Sequence, residues 1–106
     1  MSNDVLSRLA ATIKARRSEP ASASYTRQLL DKGPAHCAKK LGEEAIETVL
    51  AGAGEGDAAL RAEAADLLYH LLVLLEARGV AWDDVLAVLD KRSGQSGLEE
   101  KAARSR

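Results

Sequence analysis

Between Leu67 and Leu75 only Tyr69 and His70 interrupt a run of leucine and valine, and that run decides the architecture. Wound as a helix, it has almost no polar side over two turns, and a helix apolar all round needs cover all round. It falls far short of the roughly 20 apolar residues that span a bilayer, and His70 sits within it, so no membrane is expected. The cover must come from other helices. Alanine and leucine dominate the apolar residues, phenylalanine is absent and aromatics make up 3% of the chain, whereas strands favour β-branched and aromatic residues. The expected fold is all-α: a bundle of about five helices in a single domain over residues 1–106, a size that supports one core. Few aromatics limit the core volume of a lone chain, and so few elements cannot surround the leucine-rich helix. A homodimer or higher oligomer is expected, with that helix near the interface.

Periodicity and punctuation place the helices. Val5, Leu6, Leu9 and Ile13 give an amphipathic first helix over about 4–17, with Asn3 or Asp4 as its cap. The polar stretch SEPASAS, broken by Pro20, is a connecting loop. A short second helix starts at Tyr25 and ends at Gly33; Pro34 then suits the first turn of a third, where its missing N–H does least harm. The third runs to about residue 53, with Ala38, Leu41, Ala45, Thr48, Val49 and Gly52 as its packing stripe. GAGEG breaks the chain there, and Asp57 is the expected cap of a fourth helix, about 58–78, that Gly79 ends. Joined by one loop, the third and fourth helices form a central antiparallel hairpin. Trp82 opens a fifth helix to Arg92, with Val85, Leu86, Val88 and Leu89 apolar. Residues 93–106 make a partly ordered tail with a helical piece near 98–104.

Charge excludes some functions. Lysine plus arginine number 15 and aspartate plus glutamate 16, so the chain lacks the basic field that nucleic-acid binding needs. Cys37 is the only cysteine, which excludes an intramolecular disulfide and is compatible with a reducing compartment. The N-terminus MSNDVLSRLA lacks the apolar core of a signal peptide, so a cytoplasmic protein is expected.

Carboxylates gather in two short clusters, Glu43-Glu44-x-x-Glu47 on the third helix and Glu63-x-x-Asp66 on the fourth. At about 3.6 residues per turn, Glu44 and Glu47 share one side of their helix, and Glu63 and Asp66 share one side of theirs. Charge runs are usually solvated faces, and EExxE alone reads that way. The second cluster changes the balance, because Asp66 directly precedes Leu67 and Leu68. The hairpin brings the middles of both helices together, and four carboxylates in one pocket are very costly without a counter-charge. A divalent cation supplies it, and an all-oxygen ligand set suits Mg2+, or Mn2+ in its place, better than zinc. Lys39 and Lys40 lie within one turn of the first cluster. Either they pair with Glu43 or Glu44 on the helix surface, worth a few tenths of a kcal/mol, or one meets a phosphate. Carboxylates, a divalent cation and lysine together suit a polyphosphate: the ion bridges phosphate oxygens and the lysine spreads transition-state charge. Arg92, Lys101 and Arg104 are further candidates for phosphate contact.

These acids resemble the EExxE…ExxD signature of the MazG-like all-α nucleoside-triphosphate pyrophosphohydrolases. Within that superfamily the chain resembles the phosphoribosyl-ATP pyrophosphohydrolase family of histidine biosynthesis. Ser24-Tyr25-Thr26, Leu29-Leu30 and Gly33, then Lys40-x-Gly42-Glu43-Glu44-Ala45-x-Glu47, are similar to its N-terminal pattern. Glu63 to Leu74 resembles its central helix, and Arg92 with Ser96-Gly97-Leu98-x-Glu100-Lys101 resembles its ending. The likeness covers about 25–104; the first helix and SEPASAS carry no recognised motif. It implies Mg2+-dependent hydrolysis of phosphoribosyl-ATP between its α and β phosphates, by a dimer, to phosphoribosyl-AMP and pyrophosphate. A metal-activated water suffices, with no side-chain nucleophile. By the same likeness Glu44, Glu47, Glu63 and Asp66 hold the metal, Glu43 is a ligand or orients one, and Lys40 meets phosphate. Glu44 is preferred to Glu43 because its spacing to Glu47 copies that of Glu63 to Asp66. The length implies the stand-alone form, without the cyclohydrolase found in fused members.

Several residues keep two readings. His70 is a core histidine bonded to a neighbour, or else support for Asp66 or a dimer contact. Tyr25 stacks on a substrate base or simply packs. Ser96 and Gly97 form a phosphate-approaching turn or a linker. Cys37 reads as a small buried or half-buried apolar residue and Trp82 as packing at a helix start. Two rival functions stay open: a house-cleaning pyrophosphohydrolase of free (deoxy)nucleoside triphosphates, and a catalytically silent helical dimer serving as an interaction module.

Overall fold

The computed structural model describes residues 4–94. Their order is α1 (Val5–Ala15), a 3-10 turn (Arg16–Ser18), α2 (Tyr25–Lys32), α3 (Pro34–Gly54), α4 (Asp57–Ala77) and α5 (Trp82–Arg92). These described residues hold five α-helices and no strand, the all-α architecture expected. The helical piece expected near 98–104, with Ser96, Gly97, Lys101 and Arg104, lies outside the described residues.

Local chemistry sets most helix ends. Asp4 caps α1, its carboxylate accepting the Ser7 N–H at 2.8 Å, and Ser24 caps α2, accepting the Arg27 N–H at 3.0 Å. Gly33, at φ +91°, turns α2 into α3 through a backbone region that side chains disfavour, and Pro34 follows as the first residue of α3. Gly79, at φ +71°, closes α4 in a Schellman arrangement: the Gly79 N–H reaches the Glu76 carbonyl at 3.1 Å and the Val80 N–H that of Leu75 at 2.9 Å. One cap departs from expectation. α3 continues through Gly52 to Gly54, leaving only Glu55 and Gly56 before α4. Leu60 packs over Gly52, its Cδ1 3.6 Å from where a Cβ would stand, so contact with α4 holds a helix end that propensity alone would fray. Asp57 is therefore the first helical residue rather than the cap, where its charge still suits the helix dipole.

α3 and α4 make the central antiparallel hairpin, and α1 and α2 pack on it. Ile13, Leu29, Cys37, Leu72 and Val73 form the buried centre, with Leu6, Leu9, Tyr69 and Trp82 around them. The Cys37 thiol donates to the Leu29 carbonyl at 3.3 Å, and burial pushes its pKa up, in keeping with a small core residue. Arg27 pins the SEPASAS loop by donating to the carbonyls of Arg17 at 3.0 Å and Glu19 at 2.6 Å. Arg17 in turn pairs with the Glu76 carboxylate and donates to its carbonyl at 2.6 Å, latching the loop to α4.

The inner seam of α3 is turned in part from the predicted stripe, of which Leu41, Ala45 and Thr48 are half-buried as expected. Its buried or half-buried positions include Cys37, Leu41, Glu44, Thr48 and Ala51, alternately four and three apart, whereas Val49 is 67% exposed and Gly52 and Ala38 are exposed too. Ile46 (63% exposed) and Leu50 (59%) join Val49 in an apolar strip that the described residues leave uncovered, and Leu60 and Leu68 of α4 are exposed as well. The surplus apolar surface expected on α4 thus lies mostly on α3, because α1, α2 and α3 already cover most of α4. Trp82 anchors α5 to the core, while Leu86, Val88 and Leu89 stay exposed. Among the described residues no helix is long and apolar enough to cross a membrane.

Candidate metal centre

The two-residue connection between α3 and α4 sets residues equally far from the turn opposite one another. Thr48 meets Glu63 in this way: its hydroxyl lies 2.8 Å from the Glu44 carbonyl on its own helix and 3.2 Å from the Glu63 carbonyl on the other. That register lays the first acid cluster against the second. Glu44, Glu63 and Asp66 each offer a carboxylate oxygen, all within 4.8 Å of one another. Glu44 and Glu63 are half-buried and Asp66 lies at the solvent edge. Oε1 of Glu63 is buried without a hydrogen-bond partner among the described residues. Burial above all, then the charges of Glu47, Asp66 and Glu44, pushes the Glu63 pKa up. An orphaned carboxylate oxygen pressed by like charges is unfavourable on its own and well suited to a cation. Three carboxylates with no nitrogen or sulfur among them fit Mg2+ or Mn2+.

The other candidate residues are placed differently. Glu47 is exposed and lies outside the closest trio, although its charge leads those raising Glu63. Glu43 turns away: its carboxylate takes the Lys40 ammonium at 3.1 Å, a hydrogen bond that lowers the Glu43 pKa and raises that of Lys40. The trio therefore draws on Glu44 rather than Glu43. Tyr25, the exposed first residue of α2, stands edge-on to His70 with centroids 6.4 Å apart, and Tyr69 does so at 5.0 Å. His70 is buried, and burial lowers its pKa against the pull of Glu44 and Asp66. Thr26 and Tyr69 share a hydrogen bond beside this ring group. Arg92 is the exposed last residue of α5, outside the hairpin that carries the acids, and Lys101 lies outside the described residues. Thr48, which from sequence is one member of a packing stripe, is the polar link at the site; a hydroxyl on the seam between the two acid motifs was its only signal.

Comparison with known proteins extends beyond these residues. The family model for phosphoribosyl-ATP pyrophosphohydrolase matches residues 6–93, which include α1 and both acid clusters. The chain is 61% identical over 98 residues to a phosphoribosyl-ATP pyrophosphatase of Nitrobacter winogradskyi, covering 92% of this chain and 84% of the relative. It is 56% identical over 108 residues to one of Azorhizobium caulinodans, covering 100% of this chain and 99% of that relative. Against phosphoribosyl-ATP pyrophosphatase 1 of Rhodopseudomonas palustris it is 52% identical over 106 residues, with coverage of 100% and 99%. Likeness of this degree, running from α1 to α5 through both acid clusters, places the chain in the phosphoribosyl-ATP pyrophosphohydrolase family.

Proposed function

We propose that the protein hydrolyses phosphoribosyl-ATP to phosphoribosyl-AMP and pyrophosphate in histidine biosynthesis, at a Mg2+ site formed by Glu44, Glu63 and Asp66 with Glu47 beside them. The orphaned Oε1 of Glu63 among converging carboxylates carries the metal reading, and the family carries the substrate. A divalent cation bound there supplies positive charge to polyphosphate oxygens and makes water a better nucleophile at neutral pH. The chain itself supplies position. Glu44 and Glu63 project from two packed helices rather than from loops, which holds their oxygens in a fixed relation. Lys40 is partly solvated and, among the described residues, forms its ion pair with its helix neighbour Glu43, a partner it can exchange for a phosphate oxygen. Tyr25 offers an exposed ring, braced edge-on by His70, on which the adenine of the substrate stacks. Arg92 and Lys101 contribute further positive charge toward the phosphates.

The enzyme works as a cytoplasmic homodimer, closed through Ile46, Val49 and Leu50 of α3 with Leu60 and Leu68 of α4. An uncovered apolar strip on the helix pair that also carries the acids supports this, since isologous pairing sets the same strip of each copy against the other. Pyrophosphate release from phosphoribosyl-ATP, measured beside a panel of ordinary (deoxy)nucleoside triphosphates, tests the function. Strong Mg2+-dependent preference for phosphoribosyl-ATP is expected. Preference for a free nucleotide would move the activity to nucleotide house-cleaning, and no turnover of any substrate would refute an enzymatic role.

A further inference from the structure

α3 and α4 meet at the carboxylates through a single hydroxyl. Thr48 is half-buried on the α3 seam, one turn beyond Glu44. Its Oγ1 stands 2.8 Å from the Glu44 carbonyl and 3.2 Å from the Glu63 carbonyl. A hydroxyl has one hydrogen to give, so the two carbonyls share it. Donation back to its own helix is a common habit of threonine. The reach to α4 is not. Among the described residues, no other side-chain hydrogen bond links α3 to α4, and the two carbonyls it joins belong to two of the three converging acids.

Beyond Thr48 toward the turn, Ala51 is buried and Leu60 approaches Gly52. The two-residue connection sets the register at the turn, but a small slide further along the hairpin is not blocked by that connection alone. A hydrogen bond aimed at one carbonyl does resist it, because its strength falls off steeply with misalignment. Ligand groups need to be held to within about 0.5 Å to act together, so a small slide at this level is enough to spoil the cluster. We infer that Thr48 is a positioning residue for the metal centre: its hydroxyl secures, at the level of the acids, the register that the two-residue connection sets at the turn, so that Glu44, Glu63 and Asp66 converge, while it touches neither cation nor substrate. This rests on the cation reading of those three carboxylates.

The test reads the cation directly, through Mn2+ binding to the full-length protein without substrate, followed by the loss of the free-ion electron paramagnetic resonance signal. Thr48→Val keeps the side-chain shape and removes the hydroxyl, and Thr48→Ser keeps the hydroxyl and removes a methyl. Thr48→Val is expected to weaken Mn2+ binding about 10-fold, at the lower end for groups that orient metal ligands, with Thr48→Ser close to wild type. The Mg2+ concentration for half-maximal pyrophosphate release should rise by the same factor in Thr48→Val, with kcat at saturating Mg2+ largely kept. Thr48→Ala, smaller and also without the hydroxyl, reads the same loss if the valine methyl disturbs the seam. Unchanged binding in Thr48→Val overturns the inference. So does an equal loss in Thr48→Val and Thr48→Ser, which would assign the effect to packing. Mn2+ binding that is absent in wild type, or undiminished in Glu63→Gln, would bring down the metal centre itself and the role of Thr48 with it.

Discussion

Replacing Val49 by Asp should separate the proposed homodimer into folded monomers. Fully burying a Val, Leu or Ile side chain is worth about 1.5–3 kcal/mol. Ile46, Val49 and Leu50 are each more than half exposed in one chain, so covering them gains roughly 1–2 kcal/mol apiece. An isologous contact counts each residue twice, which gives roughly 6–12 kcal/mol before the cost of association. Aspartate at position 49 removes that gain at two points and sets two carboxylates against an apolar surface. The dissociation constant should rise at least about 100-fold, or about 2.8 kcal/mol. Sedimentation velocity over a dilution series reads this, with circular dichroism to confirm that the helices survive. Val88→Asp is the control, because Val88 is also exposed and apolar but lies on α5. A dimeric wild type, a monomeric Val49→Asp and an unaffected Val88→Asp are expected. A monomeric wild type at high concentration, or a Val49→Asp protein that dimerises as well as wild type, would refute the reasoning; dissociation by Val88→Asp alone would move the interface to α5.

Further outcomes follow from the core and the carboxylates. Glu63 has its pKa pushed up from 4.5 by burial and neighbouring acids, so the metal-free fold holds that proton more tightly than the unfolded chain does. The resulting stability is present below about pH 4.5 and is lost as pH rises through the folded value, so urea melts without metal should show this decline in wild type and not in Glu63→Gln. His70 acts with the opposite sign, since burial lowers its pKa from 6.5 and its contribution is lost as pH falls below that value; comparing the two proteins cancels it. Val73→Ala removes two methyl groups from a side chain that is 0% exposed. It should cost about 2 kcal/mol and lower the melting temperature by roughly 8–16 °C, and a shift near zero would contradict the core described. The buried Cys37 thiol should react with Ellman's reagent only as fast as the protein opens, so rapid labelling of the native state would contradict its placement.

Most of the architecture is legible in the sequence because local chemistry sets it. Asp4 and the Gly33–Pro34 step mark helix ends by means that need no partner, and the apolar run after Asp66 requires helical neighbours. The rotation of α3 was not legible. Its alanines, Thr48 and Val49 offer two overlapping stripes, and only packing on α4 selects Ala51 over Val49 for the inside. The same rotation separates Glu44 from Glu47: steps of three and four both keep a residue on one side, but the seam takes the step of four to Thr48 and leaves Glu47 toward solvent. The break at GAGEG was legible to within a residue, and Leu60 packs over Gly52 from across the hairpin. The bond of Thr48 to the Glu63 carbonyl left only a faint signal, a hydroxyl on the packing stripe, because its partner is backbone.

Pyrophosphate release from phosphoribosyl-ATP by wild type and Glu63→Gln, each in Mg2+ and in excess EDTA, tests the metal centre most directly. Release by wild type in Mg2+ alone is expected, with Glu63→Gln losing more than the roughly 100-fold that bounds a residue acting through a ligand, at unchanged helicity. Release that persists in EDTA, or a Glu63→Gln protein as active as wild type, would contradict a catalytic cation held between α3 and α4.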